Sequence, residues 1–311
     1  MNHRGLPYLM IALTMGGFHL RADAPVKITE ADYHGWKNCW FMQNPQAEIV
    51  IVPAVGRVMQ FHFLGEDGPL WENRKLDGKN PDPTSREWGN FGGDKTWPAP
   101  QADWPKIAKR DWPPPAAFDS MPVDASVRGD AVELVSAIDP HFGIRTRRLI
   151  QLDPRKPIMT VTTTYEKVEG DPRTVSVWVI TQCGEPRSIR VPMPAPTLYE
   201  KGYNLQCPHV PPSLKVEGGT ITLTRDRTTP HKIGNDGGSL VWVGEKVSLR
   251  IDSPRVAGGN YPDNQSSAEV YTNPDPLPYI ELELLGPLQR LSVGDKTAQT
   301  SIYTLSRQLE P

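Results

Sequence analysis

Apolar and polar residues alternate with period two over short runs along most of the chain. Residues 47–52 and 57–63 show this pattern and predict two strands around a turn at Pro53 to Gly56. The pattern returns at 131–138 and 143–151, a predicted hairpin around Asp139-Pro140-His141-Phe142. It continues through 157–166 and 174–182, the latter with Val175, Val177 and Val179 in alternation. Residues 220–224, 240–243, 247–251, 279–285, 288–293 and 299–305 complete the predicted strands. No amphipathic helix of three turns with caps is found. Short strands with turn signals between them predict an all-β fold, a large antiparallel β-sandwich with long Trp/Pro-rich loops.

One stretch, roughly residues 72–121, has no period. Loops of that length are uncommon in compact domains unless functional or disordered. Its Trp88, Phe91, Trp97, Trp104, Trp112 and Phe118 argue against disorder, because such rings need burial or a ligand. The chain-wide supply of 33 prolines and 26 glycines fits many strands cut by turns, since proline breaks helix interiors. The 311 residues, 38% hydrophobic, suffice for a substantial core, and without repeats or a low-complexity linker one domain over residues 25–311 is expected. The 34 basic and 36 acidic residues are interspersed, so a nucleic-acid partner is not expected.

At the N-terminus, Arg4 precedes an apolar stretch (6–20) and the small-x-small pattern Ala22-Asp23-Ala24. Residues 1–24 therefore read as a signal peptide, and the protein is expected to be exported, periplasmic or secreted. Gly16, Gly17 and His19 interrupt a stretch already short for a membrane span, so no membrane insertion is expected after cleavage. Cys39, Cys183 and Cys207 match no metal-ligand spacing and read as small buried hydrophobes, with a Cys183–Cys207 disulfide left open. His34, His62, His141 and His209 form no ligand pair, so no metal is expected. With no G-x-S-x-G elbow and no phosphate-binding glycine loop, no nucleotide or other cofactor is expected.

Three segments carry candidate chemistry. The first runs from Trp88 to Gln101. Gly92 and Gly93 permit close backbone approach to a ligand, and Asn90, Asp94, Lys95 and Gln101 supply donors and acceptors. Trp88 and Trp97, with Trp112 beyond, offer flat apolar faces. Polar groups beside aromatic platforms suit a sugar, which presents hydroxyl edges and C–H faces. The plainer alternative is a loop whose tryptophans only cover the core. In the second segment, Glu281 and Glu283 stand two apart on one strand, so they share a face while Ile280, Leu282 and Leu284 take the core. Paired carboxylates raise each other's pKa and suit acid/base work, though a solvated sheet face gives the same pattern. The third, residues 231–238 with Lys232, reads as a polar turn before a strand, and the loop 258–263 reads similarly.

The order of these features resembles the galactose mutarotase-like superfamily, which includes aldose 1-epimerases and hexose-6-phosphate epimerases. The hairpin from Glu48 to Phe63 resembles its opening hairpin, with Leu70-Trp71 ending the next strand. Gly92-Gly93-Asp94-Lys95-Thr96-Trp97-Pro98 is similar to the R-G-G-x-P-x-x-W-P type segment of the hexose-phosphate branch, and closer still to an exported bacterial branch. The segment 279–287 resembles the strand that delivers the superfamily's glutamate base. The resemblance implies a mono- or oligosaccharide partner, with Glu281 or Glu283 as base. It also implies two histidines that this chain lacks. Where the first would stand the sequence reads Asp111-Trp112-Pro113-Pro114-Pro115, and where the second would stand, Ile180-Thr181-Gln182-Cys183. Asn90-Phe91 replaces the arginine before the glycines. Lys95, Asp94 and Lys232 are the candidate replacements for the acid.

Three readings follow: an epimerase-like or other acid/base enzyme acting on sugars, a non-catalytic sugar-binding module, and a structural domain of the cell envelope. The first requires Glu281 or Glu283 within about 8 Å of Asp94 or Lys95, so that a small substrate can bridge them. The second requires a face of Trp88, Trp97 or Trp112 in a pocket, and the third requires all three buried.

Overall fold

The computed structural model describes Met1 and residues 26–308, so the expected signal segment lies outside the described residues. Two antiparallel sheets face each other. The larger, of 11 strands, runs in the order Lys27–Tyr33, Trp36–Gln43, Ala47–Val52, Arg57–Phe63, Asp94–Ala99, Arg173–Gly184, Tyr279–Leu285, Ala268–Thr272, His231–Asn235 and Asn204–Leu205, with Gln289–Leu291 pairing on Arg173–Gly184. The smaller, of 10 strands, runs Lys215–Glu217, Thr220–Leu223, Ser188–Pro192, Ser239–Val243, Val247–Asp252, Lys296–Arg307, Ile158–Lys167, Ile144–Leu152, Ala131–Val135 and Asp124–Arg128. The α-helices among the described residues are four residues long.

The core lies between the sheets because each contributes one apolar face. Phe61, Ile280, Leu282 and Leu284 of the larger sheet join Val132, Ile150, Val161 and Tyr303 of the smaller in one buried cluster. Burying a side chain of this size stabilises the fold by about 1.5–3 kcal/mol. The period-two rule then fixes everything else: with Ile280, Leu282 and Leu284 inward, Tyr279, Glu281 and Glu283 face outward.

Two expectations are corrected. Asp94–Ala99 is not loop but a central strand between Arg57–Phe63 and Arg173–Gly184, buried at every position. A strand covered on both faces shows no polar alternation, and Pro98 disguises it further. His231–Asn235 is likewise a strand rather than a polar turn, and it carries Lys232 onto the sheet.

The paired glycines also act differently from expectation. Gly92 (φ 92°) and Gly93 (φ 71°) are left-handed, and their closest neighbours are other parts of the backbone. A Cβ on Gly92 would lie 2.1 Å from the Trp71 carbonyl oxygen, and one on Gly93 2.6 Å from that of Val58. They let the segment before the central strand pass tightly beneath Trp71. Gly92→Ala should therefore lower stability by roughly 3 kcal/mol, read from urea unfolding midpoints. An unchanged midpoint would show that the backbone can relax there.

Candidate functional site

The outward face of the larger sheet carries polar residues in registered rows. Lys95 pairs across to Ile180, which pairs to Glu283, which pairs to Glu269. In the next row Gln182 pairs to Glu281, Glu281 to Tyr271 and Tyr271 to Lys232. A third row sets Trp97 beside Trp178. Residues almost 190 positions apart thus meet because antiparallel register puts them opposite one another.

Glu281 is the centre of this face. Lys95 Nζ lies 3.5 Å from its Oε1, and Gln182 Nε2 donates to the same oxygen at 2.8 Å. Lys95 is fully buried, with its ammonium 4.8 Å from the centre of the Trp97 ring and 5.7 Å from that of Trp88. Burial pushes its pKa down to about 8, helped by the nearby Arg57 cation and opposed by Glu281. That value leaves its proton transferable near neutral pH.

Glu283 has a different environment. It is 0% exposed, accepts from Trp178 Nε1 (2.7 Å) and lies 2.8 Å from Lys232 Nζ. Lys232 Nζ is also 2.8 Å from Glu269, which accepts from Gln206 Nε2 at 2.6 Å. Burial, together with Glu269 and Glu281, holds the Glu283 carboxyl well above the usual carboxylate range, while Lys232 pulls against it. Glu269 and Glu283 in turn raise the pKa of Lys232, overcoming its own burial. Lys232 is therefore a fixed charge, and Lys95 is the cation that can release a proton. Glu281 keeps some exposure (8%), so of the two glutamates it is the one open to a ligand.

A second carboxylate organises the tryptophans. Asp119 Oδ1 accepts from Arg57 (2.8 Å) and Trp97 Nε1 (2.9 Å), and its Oδ2 accepts from Trp88 Nε1 (2.9 Å). Trp112 is 42% exposed and meets Trp88 edge to face, with ring centres 5.0 Å apart. Trp88, Asn90 and Asp119 line a cavity of about 350 Å³, and the Trp88 ring on its wall is the one 5.7 Å from the Lys95 ammonium. Asn90 is 4% exposed, and its Nδ2, with the Tyr279 side chain near it, makes no hydrogen bond of good geometry among the described residues. An orphaned buried donor on a cavity wall is what a ligand oxygen would satisfy.

The structure separates two predicted residues from this cluster. Asp94 points to the opposite face, into the space between the sheets, where it pairs with Arg148 and accepts from Thr181 Oγ1 and Tyr303 Oη at 2.6 Å each. Its neighbour Lys95 takes the outward face, as strand alternation requires. Gln101 is exposed on the 3₁₀ turn Gln101–Asp103. The three cysteines are free, and Cys39 and Cys183 are buried.

Several site residues escaped the sequence reading. Glu269 and Tyr271 sit on a five-residue strand, Trp178 on a strand recognised for its valines, Gln182 was named only where a histidine was expected, and Arg57 and Asp119 are far apart in sequence. The alternation Ala268-Glu269-Val270-Tyr271-Thr272 was the available signal. Asp263 is a further case, in a turn where Asp263, Asn264 and Gln265 all have positive φ. Burial, with Glu269 adding to it, raises its pKa to about 6.

Solved structures with the same architecture include proteins described as mutarotase-like. A galactose mutarotase-like protein from Lactobacillus casei ATCC 334 superposes with a TM-score of 0.58 at 10% identity, covering 86% of this chain and 100% of that one. A candidate aldose 1-epimerase from Escherichia coli K12 gives 0.54 at 12% identity, over 87% and 99% of the two chains. A candidate mutarotase from Salmonella typhimurium gives 0.56 at 10%, over 91% and 97%. No family model matches the sequence, and no curated protein matches it. The chain has the galactose mutarotase-like fold, an all-β sandwich whose outward face carries the acidic and basic cluster just described.

Proposed function

We propose that the protein binds a sugar on the outward face of the larger sheet and carries out acid/base chemistry on it, opening and closing the ring as an epimerase does. The observation that supports this most is the approach of Lys95 to Glu281, 3.5 Å apart, with the Lys95 ammonium against Trp88, a residue that also lines a cavity. In this reading Glu281 removes the proton of the anomeric hydroxyl, and the Lys95 ammonium gives one to the ring oxygen. The C–O bond of the ring breaks to an aldehyde and a hydroxyl, and closure on the other face reverses each transfer. Gln182 holds Glu281 in place, where the resemblance implied a histidine. Lys232 and Glu283 fix the field around the pair, and Trp88 and Trp112 receive the sugar's C–H face. If the N-terminal segment directs export, the sugar is met outside the cytoplasm.

Exchange NMR on the anomers of glucose and galactose tests this. Added protein should speed exchange near neutral pH, and the rate should fall above about pH 8 as Lys95 loses its proton. Binding without faster exchange would leave a sugar-binding module. Neither binding nor exchange with any sugar would remove the reading.

A further inference from the structure

A second cavity opens on the same face of the sheet, on the other side of Trp71. Its volume is about 490 Å³, and Tyr33, Gln60, Trp71, Arg74 and Trp242 are on its wall. Three features connect it to the central cluster. The Trp71 amide donates to the carbonyl of Gln182 (2.9 Å), so the two residues lie on neighbouring strand positions, about 4.8 Å apart. Leu70 is in the core between the sheets, which turns Trp71 to the outward face with Gln182 and Glu281. The Trp71 ring also lies against Tyr279, with ring centres 4.8 Å apart and planes tilted by 32°, and Tyr279 is two residues from Glu281 on that face. One aromatic pair is thus the partition between the cavity and the acid/base residues.

The chemistry of the wall narrows the occupant. Arg74 is spent on Glu72 (3.0 Å) and Asp77 (3.7 Å), which disfavours an anionic ligand. Glu72 is fully engaged as well, accepting from Tyr33 Oη (2.8 Å) and Gln60 Nε2 (2.9 Å). What remains are the rings of His34 and His62, the carboxylates of Asp67 and of Glu66, the latter paired with Arg307, and the indoles of Trp71 and Trp242, acceptors and flat faces that a neutral polyhydroxylated ring can use.

Resting on the sugar-site reading above, we propose that this cavity is a subsite for the adjoining unit of a sugar chain, so that the substrate is an oligosaccharide laid across Trp71 with its reducing end at Glu281. A free monosaccharide would leave the second cavity unused.

Gly184 offers a test. It lines the cavity with an ordinary φ, and an added Cβ would meet nothing closer than the Pro69 carbonyl oxygen at 4.0 Å. Gly184→Leu should therefore obstruct the cavity while the fold stays intact, which circular dichroism and the melting temperature would verify. Calorimetric titrations would compare glucose, maltose and maltotriose, and galactose with lactose, against the native protein and Gly184→Leu. The expected result is an affinity about tenfold higher for the longer sugars in at least one series. The leucine should abolish that gain without changing monosaccharide affinity. Equal affinity at every length, or a gain untouched by the leucine, would overturn the oligosaccharide proposal and leave the central site standing. Failure of every sugar to bind the native protein would overturn both.

Discussion

Glu281→Gln is expected to slow anomer exchange by about 10²–10⁴-fold, the usual contribution of a positioned acid or base. The amide matches the carboxylate in shape and can still meet Gln182 after a flip, so the strand should remain in register. Sugar affinity should change much less than the rate, because glutamine keeps a carbonyl oxygen toward the ligand. The corresponding change at Glu283 should behave differently. Glu283 is fully buried between Trp178 and Lys232, so Glu283→Gln should disturb the Lys232 charge and lower the melting temperature along with activity. Exchange rates and melting curves on both variants separate the two roles. A Glu281→Gln protein that exchanges anomers at the native rate would exclude Glu281 as the base.

The largest expected loss of stability is at Asp94. Its carboxylate is 0% exposed and is held by Arg148, itself 3% exposed, and by Thr181 and Tyr303. Asp94→Ala leaves a guanidinium stranded between two sheets, which should cost about 3–5 kcal/mol. In a chain of this size that lowers the melting temperature by on the order of 10 °C. Because the penalty comes from the unpaired charge, Asp94→Leu with Arg148→Met should recover much of it, as replacing both members of a buried pair often does. If Asp94→Ala instead melts like the native protein but stops turning over sugar, Asp94 acts in the site and its outward neighbour does not.

The contrast between Asp94 and Lys95 shows what kind of information was missing from the sequence. Both were read as candidates because they adjoin in a polar segment. In a strand, adjacent residues face opposite ways, so only one of them can belong to a given surface. Which one is settled by the strand's partners, Val58 on one side and Ile180 and Thr181 on the other. Nothing within residues 88–101 contains that information, because the segment is covered on both faces and has no visible period. Glu281 and Glu283 were legible for the opposite reason. Their strand alternates cleanly, and its three aliphatic residues leave the glutamates one direction to point.

The same distinction runs through the rest of the site. Trp88, Trp97 and Asn90 were identifiable as chemistry by residue type, but what Gly92 and Gly93 make room for was not: a neighbouring backbone that a Cβ would strike, rather than a ligand. Asp119 carries no local mark at all, since its importance comes from Arg57 and two indoles that converge on it from other elements. Lys232 was visible in sequence but placed on a turn. Its strand is short and ends in Gly234-Asn235, both poor strand formers, and pairing with Ala268–Thr272 is what holds it extended.

The sequence by itself determined that this is a β-sandwich of short strands, that Glu281 and Glu283 share a face, and that tryptophan and polar groups gather in one segment. These follow from period two, proline spacing and residue type, which act locally. Only the tertiary structure decided that Lys95 reaches Glu281 while Asp94 turns inward, that Glu283 is sealed and Glu281 is not, and that Trp71, on the wall of a cavity, packs against Tyr279. Those outcomes depend on register between strands up to 186 residues apart. Register is fixed by the packing of two whole sheets, so no local run of sequence can contain it.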